Sequence, residues 1–346
     1  MASVQDLLRP SIKALKAYSS ARDEFQEETS DMVFLDANEN PFNNGINRYP
    51  DPYQNEVKAI LSDIKEVSKS NILLGNGSDE VLDLIVRAFC EPNQDNVIIL
   101  PPTYGMYEVL ANLNAVGIKK VLLTETFQPE TDQILEAADA HSKILFLCSP
   151  NNPSGNSFID TDVEVLLKKF EGIVVIDEAY IDFSSKDSWL QRLDEFPNLI
   201  ITQTLSKAYG MAGIRLGICY ASTEIISVLN TIKPPYNINV LTQNKAAELL
   251  KQTDLVSNEI DAILIERSQL ISDLKQINYI SKIYPTDTNF VLVKVDDATQ
   301  RYNQLIKKGV VVRNRTTQPL CENCLRLTVG TSVENETLLT ALKSLQ

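Results

Sequence analysis

The chain has 346 residues, with 32 basic and 46 acidic side chains and a formal net charge of −14. This length predicts two domains rather than one compact core. The acidic balance argues against nucleic acid as a partner, because an acidic surface repels a phosphate backbone. An anionic ligand would therefore need a local cluster of donors. The single histidine, His141, excludes a histidine-rich metal site, and we predict no bound metal.

No apolar run approaches the ~18 residues that a membrane-spanning helix needs. The first twenty residues also lack the apolar core of a signal peptide. Five scattered cysteines, an odd number, are typical of a reducing compartment. Cys321 and Cys324 form a CxxC without further zinc ligands nearby, and we interpret the pair as coincidental. We expect a cytoplasmic protein with no membrane partner.

Short apolar runs predict strands between residues 72 and 220. They lie at 97–100, 121–123, 144–148, 173–177, 199–202 and 216–220. Helix-like segments such as 162–170 separate several of these runs. The alternation predicts an α/β fold with a mostly parallel sheet that is covered on both faces. Ligands of such sheets bind beyond the carboxyl ends of the strands.

The pattern changes after a proline-containing break at 233–240. Apolar residues at helical spacing predict one long helix over residues 239–277. Strand-like runs follow at 289–295, 310–314 and 324–330, so this part is interpreted as a smaller α+β domain. The predicted domains are a large one, 35–235, and a small one, 1–34 together with 236–346.

Charged side chains stand at the ends of two predicted strands. Asp177 ends the run IVVID, and Lys207 follows the run LIITQTL thirty residues later. One strand–helix–strand step fits this spacing, so the two side chains could converge on one crevice, although Asp177 alone could simply cap the next element. Ser206 and Arg215 flank Lys207 in a glycine-containing turn, and both are suitable phosphate ligands.

Other loops in the predicted sheet add polar and aromatic groups. Ser78 and Asp79 begin an amphipathic helix whose free backbone N–H groups can bind an anion, although Asn76 or Ser78 could cap that helix without any ligand. Tyr104 could stack on a planar ring or fill the core. Asn152, before a proline, could bind a ring oxygen or form a plain turn. Together these groups match a pocket for pyridoxal 5'-phosphate (PLP).

A series of motifs supports this interpretation along nearly the whole chain. In chain order they are AYSSAR, LDANENPF, NRYPD, GNGSDE, PPTYGMY, SPNNPSG, VVIDEAYIDF, TLSKAYGMAGIRLG and CLRLTVGT. This set resembles the fold-type I PLP-dependent aminotransferases, and within that group the histidinol-phosphate aminotransferases. It is more specific for the class than for the substrate. Ser154 and Tyr209 replace the Thr and Phe that are usual in the family, and neither position has an assigned role.

The resemblance implies roles for the matching residues around PLP. Lys207 would bind the cofactor aldehyde covalently and then act as general base and acid. Asp177 would pair with the pyridine nitrogen. Tyr180 and Asn152 would bind the ring hydroxyl oxygen, and Tyr104 would stack on the ring. Lys207, Asp177 and Tyr180 are the predicted catalytic residues.

Further residues would bind the phosphate of PLP and the substrates. The predicted phosphate ligands are Ser78, Asp79, Ser206 and Arg215, joined by Tyr49 from a partner subunit. The predicted substrate ligands are Tyr18, Asn152, Arg313 and Arg326, joined by Tyr236 from a partner subunit. The resemblance implies a homodimer that exchanges an amino group between histidinol phosphate and 2-oxoglutarate, giving imidazole acetol phosphate and glutamate.

Several alternatives stay open on the sequence alone. The chain could be another small aminotransferase, for example one for aromatic amino acids, or a phospho-amino-acid decarboxylase of the same fold. It could also be a PLP-binding regulator without turnover, although the residues before the first core motif are too few and too weakly basic for a DNA-binding head. An α/β protein without a cofactor is the simplest alternative.

Overall fold

The computed structural model describes residues 3–16 and 32–345, and within these residues a seven-stranded sheet forms the larger part of the fold. Its strands are β1 (Ile72–Asn76), β2 (Asn96–Ile99), β3 (Gly117–Lys120), β4 (Ser142–Cys148), β5 (Ile173–Asp177), β6 (Leu199–Thr204) and β7 (Leu216–Ala221). Their spatial order is β1-β7-β6-β5-β4-β2-β3. Strand β7 is antiparallel to both neighbours and the other pairs are parallel. The predicted α/β fold with a mostly parallel sheet is therefore confirmed.

Both faces of this sheet are buried, as its continuous apolar runs require. In β5, Val174 and Ile176 pack into one hydrophobic cluster, whereas Ile173 and Val175 pack into another on the opposite face. Successive side chains of a strand point to opposite faces, so both sets are covered only if helices lie on both sides of the sheet. The sheet is thus a rigid base from which the loops at its edge project.

Helices occupy much of the rest of the described chain. They are α1 (Val4–Leu7), α2 (Pro10–Lys13), α3 (Asn55–Lys65), α4 (Ser78–Phe89), α5 (Met106–Leu113), α6 (Thr131–Ala137), α7 (Asp160–Lys169), α8 (Thr223–Ile232), α9 (Val240–Leu250), α10 (Thr253–Leu274), α11 (Ala298–Lys307) and α12 (Ser332–Lys343). Short 3₁₀ helices lie at Lys69–Asn71, Ile181–Phe183, Trp189–Glu195 and Ala212–Ile214. Within the two described ranges, no helix combines the length and hydropathy that crossing a bilayer requires.

A second, antiparallel sheet follows the long helices. Its strands are β8 (Ile280–Ile283), β9 (Phe290–Val295), β10 (Arg313–Asn314) and β11 (Cys324–Thr328), in the spatial order β10-β11-β9-β8. Leu270 and Leu274 of α10 and Leu338 of α12 pack on this sheet in a core of their own. This arrangement has the α+β character expected for the smaller domain, while the exact domain boundaries stay a prediction.

Three predicted elements were wrong in their limits by more than two residues. The strand predicted at 310–314 is only β10, because its first three residues do not pair with β11. The strand predicted at 121–123 is β3, four residues earlier, because the polar run GIKK pairs with β2 at the sheet edge. The single helix predicted over 239–277 is two helices, α9 and α10, separated at Lys251 and Gln252. The apolar periodicity continues across this break because both helices carry a buried face, so periodicity alone does not reveal it.

Candidate active site

One cavity of about 550 Å³ lies beyond the carboxyl ends of the parallel strands. It is lined by every predicted site residue that was assigned to the chain's own subunit and that the structure describes: Ser78, Asp79, Tyr104, Asn152, Asp177, Tyr180, Ser206, Lys207, Arg215, Arg313 and Arg326. Tyr18 lies outside the described residues. Tyr49 and Tyr236, predicted to serve a partner subunit, do not line this cavity. The structure thus brings the main predicted set together.

The sheet places Asp177 and Lys207 side by side at the edge of the cavity. Strands β5 and β6 are parallel neighbours, and Asp177 lies opposite Thr202 in their register. Lys207 follows in the turn after β6, and its Nζ lies 5.8 Å from the centroid of the Tyr180 ring. Asp177 and Lys207 therefore converge on one cavity, as the sequence spacing suggested, and the Tyr180 ring lies beside the amine.

The Asp177 carboxyl group is buried and has only neutral hydrogen-bond donors. The Tyr107 hydroxyl donates to Oδ2 at 2.7 Å, and the Ala179 backbone N–H donates to Oδ1 at 3.2 Å. Burial raises the pKa of Asp177 above its ordinary value, and these hydrogen bonds offset only part of that rise. No described basic side chain forms an ion pair with it. A carboxylate in this position favours a cationic ligand group, such as a protonated ring nitrogen.

Lys207 lines the cavity, and its side chain is exposed there. Desolvation lowers the pKa of Lys207, and the positive charges of Arg326 and Arg215 lower it further, while Asp177 opposes the change. A lowered pKa increases the fraction of neutral amine, which is the form that attacks a carbonyl and accepts a proton. Of the two arginines, Arg326 has the larger effect on the pKa of Lys207.

The N-terminus of α4 has the features of an oxyanion site. Its N-cap is Gly77, and no side chain caps the helix, so the predicted capping by Asn76 or Ser78 is wrong. The Asn76 side chain instead donates to Glu80. Backbone N–H groups of the first turn therefore remain available for an anion, and the helix dipole favours negative charge there.

Arg215 completes this oxyanion site from the other side. It has φ 54°, in the left-handed region, at the start of β7. Gly77 has φ 78° and ψ 167°, a region essentially restricted to glycine, and a Cβ at Gly77 would lie 2.6 Å from Nη2 of Arg215. The absence of a side chain thus lets a guanidinium approach the helix N-terminus closely. A phosphate group fits this combination of donors.

Two tyrosines near the start of α5 link the oxyanion site to Asp177. The Tyr104 hydroxyl donates to the Asp79 carboxylate at 3.1 Å, and its ring meets Tyr107 edge-on at 5.6 Å between centroids. Tyr107 in turn bonds Asp177 and stacks on Phe146 at 4.7 Å. Tyr104 is therefore held as a wall of the cavity by its own hydroxyl and by a packed neighbour. The role of Tyr107 was missed, although it lies within the motif PPTYGMY.

Arginines from the small antiparallel sheet form the opposite wall. Arg313 in β10 lies directly opposite Arg326 in β11, so both side chains project from the same face of the sheet. Arg326 also donates to Oδ1 of Asn152, which leaves the Asn152 NH₂ group as a donor toward the cavity. Arg315 lines the same wall and was not predicted. Its position two residues from Arg313 in an extended segment was the signal that could have identified it.

Glu178 follows Asp177 in sequence but has a structural role. Its carboxylate accepts hydrogen bonds from the Ser188 hydroxyl, the Trp189 backbone N–H and the Gln203 side chain. It does not line the cavity, because adjacent residues at the end of a strand point in opposite directions. Of the two acidic residues in the motif, only Asp177 is available to a ligand.

Comparison with known proteins agrees with this geometry. Residues 21–344 match the family described as aminotransferase class I and II. A histidinol-phosphate aminotransferase of Flavobacterium johnsoniae is 64% identical over 343 residues, which cover 99% of this chain and 98% of that protein.

Two solved structures share the fold with this chain. The histidinol-phosphate aminotransferase of Clostridium acetobutylicum has a TM-score of 0.80 at 24% identity, covering 87% of this chain and 91% of its own. That of Sinorhizobium meliloti, in complex with pyridoxal-5'-phosphate, has a TM-score of 0.79 at 22% identity, covering 86% and 84%. The family match over residues 21–344 shows that the chain belongs to the class I and II aminotransferases, as the sequence motifs predicted.

Proposed function

We propose that this aminotransferase uses PLP to exchange an amino group between histidinol phosphate and 2-oxoglutarate. The observation that carries the proposal is the single cavity in which an oxyanion site, a buried carboxyl group, a lysine amine and a wall of arginines face one another. The 64% identity to the Flavobacterium johnsoniae histidinol-phosphate aminotransferase over almost the full length of both chains supports the choice of substrate.

The residues of the cavity fit PLP group by group. Arg215, Ser78, Ser206 and the backbone N–H of Asp79 would hold its phosphate. Asp177 would keep the ring nitrogen protonated, and the Asn152 amide with the Tyr180 hydroxyl would bind the ring oxygen. When bound, PLP supplies a carbonyl group for amine exchange and a ring that accepts the electron pair of the substrate Cα–H bond.

Lys207 has the central chemical role in this proposal. As a neutral amine, Nζ would hold the carbonyl group of PLP, because this form of lysine reacts with carbonyls. Nζ would also accept the proton of the substrate Cα–H bond and return it as a general acid. The desolvated position of Nζ, close to Arg326 and Arg215, favours the neutral form that both steps need.

Two different anions must enter the same cavity. Glutamate carries carboxylates, whereas histidinol phosphate carries a phosphate ester in place of the α-carboxylate. Arg326 and Arg313 form ion pairs with no described residue and are available for either group. A guanidinium binds both anions with paired N–H donors, so one arginine wall can serve both half-reactions.

The substrate is tested by comparing amino donors. With 2-oxoglutarate as acceptor, kcat/KM is expected to be larger for histidinol phosphate than for phenylalanine or unphosphorylated histidinol. Production of glutamate is the readout. A faster reaction with phenylalanine would favour an aromatic aminotransferase, and release of carbon dioxide from a phospho-amino acid would favour a decarboxylase.

We also propose that the active protein is a cytoplasmic homodimer. Tyr49 and Tyr236 stack on each other at 4.4 Å between centroids, away from the cavity of their own chain. Tyr49 is 52% exposed, and large apolar side chains on the same segment, Leu35 at 85% and Phe42 at 80%, are more exposed still. A second copy of the chain would cover these side chains and receive both tyrosines at its own site.

Mixed dimers test whether the tyrosines act on the neighbouring subunit. Tyr49→Ala and Lys207→Ala are each expected to reduce activity strongly. After the two variants are unfolded and refolded together, about a quarter of the wild-type activity should return, because half of the dimers then contain one intact site. Each variant refolded alone serves as the control. No recovery in the mixture, despite dimers of normal mass, would show that Tyr49 acts within its own chain.

A further inference from the structure

Arg315 is a third arginine in the cavity wall, and neither the motifs nor the family resemblance assigned it a role. It follows β10, and its backbone N–H donates to the Cys324 carbonyl oxygen at 2.8 Å. This bond extends the pairing between β10 and β11 by one more residue. Arg315 is therefore held in place by the sheet, and its side chain lines the cavity together with Arg313 and Arg326.

The side chain of Arg315 has hydrogen-bond donors that no described residue of the protein accepts. Its Nε atom is buried and has no hydrogen-bond partner among the described residues. No ion pair joins Arg313, Arg315 or Arg326 to an acidic residue in the described ranges. Burial, followed by the charges of Arg326 and Arg313, lowers the pKa of Arg315 to about 10. Neighbouring cations of this kind repel one another until an anion binds between them.

The phosphate and the ring of PLP already have assigned ligands, so Arg315 remains available to the substrate. Arg215 and the start of α4 form the oxyanion site on the other side of the cavity. Arg326 donates a hydrogen bond to Asn152, which is one of the residues that would hold the PLP ring. Arg313 and Arg315 line the same wall, and neither donates a side-chain hydrogen bond to a described residue.

The number of oxygens distinguishes the two anions that must bind there. A carboxylate presents two oxygens and a single charge, which one guanidinium can satisfy. A phosphate monoester presents three terminal oxygens and carries close to two negative charges at neutral pH. We propose that Arg315 is a specificity-determining residue that binds the phosphate ester of the substrate together with Arg313, and that it contributes little to glutamate binding. This inference rests on the proposed function for its substrate.

Replacement of Arg315 by glutamine tests the proposal on three amino donors. For histidinol phosphate, kcat/KM should fall by about 10- to 100-fold, mostly through a higher KM, as expected for the loss of a charge-assisted hydrogen bond. For glutamate and for unphosphorylated histidinol, the change should be less than about threefold. Arg315→Lys should recover part of the loss, because it restores the charge without the planar fork. Arg87→Gln, at an exposed i,i+4 pair with Asp83, is the control.

A binding measurement on the PLP-loaded enzyme separates failure of this inference from failure of the proposed function. Inorganic phosphate is titrated by calorimetry, and its dissociation constant should rise at least about tenfold in Arg315→Gln. If the wild-type enzyme does not use histidinol phosphate, the proposed substrate is wrong, and the phosphate titration still decides whether Arg315 binds phosphate. Equal losses on glutamate and histidinol phosphate, or unchanged phosphate binding, would overturn the inference.

Discussion

Replacement of Lys207 by alanine is expected to lower kcat by about 10⁴-fold, the upper range for loss of a general acid–base group, while the protein remains folded. Nζ of Lys207 is the only amine among the described residues that line the cavity. No neighbouring side chain can replace it, because the other cations there are arginines, whose guanidinium groups do not release a proton near neutral pH.

The Lys207 prediction is checked by steady-state kinetics together with a spectrum. The wild-type protein should show the visible absorption of lysine-bound PLP, and the band should shift on adding histidinol phosphate. Lys207→Ala should still bind PLP through the oxyanion site but lack the lysine-dependent band. Lys245→Ala, at an exposed pair with Glu248, is a matched control that should retain wild-type activity. A Lys207→Ala variant with near-normal turnover would contradict the assignment.

The environment of Lys207 also has a consequence for the pH profile. Its pKa lies below the ordinary value, first because of desolvation and then because of Arg326. Activity that requires neutral Nζ should therefore rise with pH through a value below that of a free lysine, which is about 10.4. Arg326→Gln should move this limb of the profile to higher pH, because a positive charge that disfavours the protonated amine has been removed.

The central part of the site could be predicted because its residues follow buried strands. The apolar runs that lie in β4, β5 and β6 are fully buried, so these strands were recognisable from the sequence. Parallel strands bring their carboxyl ends to one edge, and this rule predicts that Asp177 lies beside Lys207. The oxyanion site at α4 also followed from the predicted helix start at Ser78 and Asp79.

Residues at the edges of the sheets were harder to predict. Strand β8 (ISKI) is partly exposed and β3 (GIKK) is polar, so neither carries the apolar run that identifies a buried strand. Arg315 and Tyr107 were missed for a different reason. Their residue types fit many surface positions, and only the pairing of β10 with β11 and the packing of α5 bring them to the cavity.

Asp177→Asn is expected to lower kcat by roughly 10²- to 10³-fold at saturating PLP, as for the loss of one preorganised electrostatic group. Asparagine keeps the size of the side chain, and its carbonyl oxygen can still accept the hydrogen bond from the Tyr107 hydroxyl. It has no negative charge to stabilise a protonated ring nitrogen. The loss should therefore appear in kcat more than in KM, because the interaction matters most when the ring accepts electrons.

The same substitution lowers kcat but should increase the stability of the protein without PLP. The pKa of Asp177 is higher in the folded than in the unfolded chain because the group is buried, so the folded state binds more protons. The free energy of unfolding then decreases as pH rises from about 4 through the folded-state pKa. Asp177→Asn lacks this decrease, so at pH 7 the variant without PLP should be more stable than the wild type. Asp160→Asn, at an exposed position, is the control and should be as stable as the wild type. Chemical denaturation at several pH values measures the difference. A variant that is less stable at every pH would contradict this prediction. It would show that Asp177 stabilises the edge of the sheet, and that its burial does not reduce stability for the sake of a cationic ring.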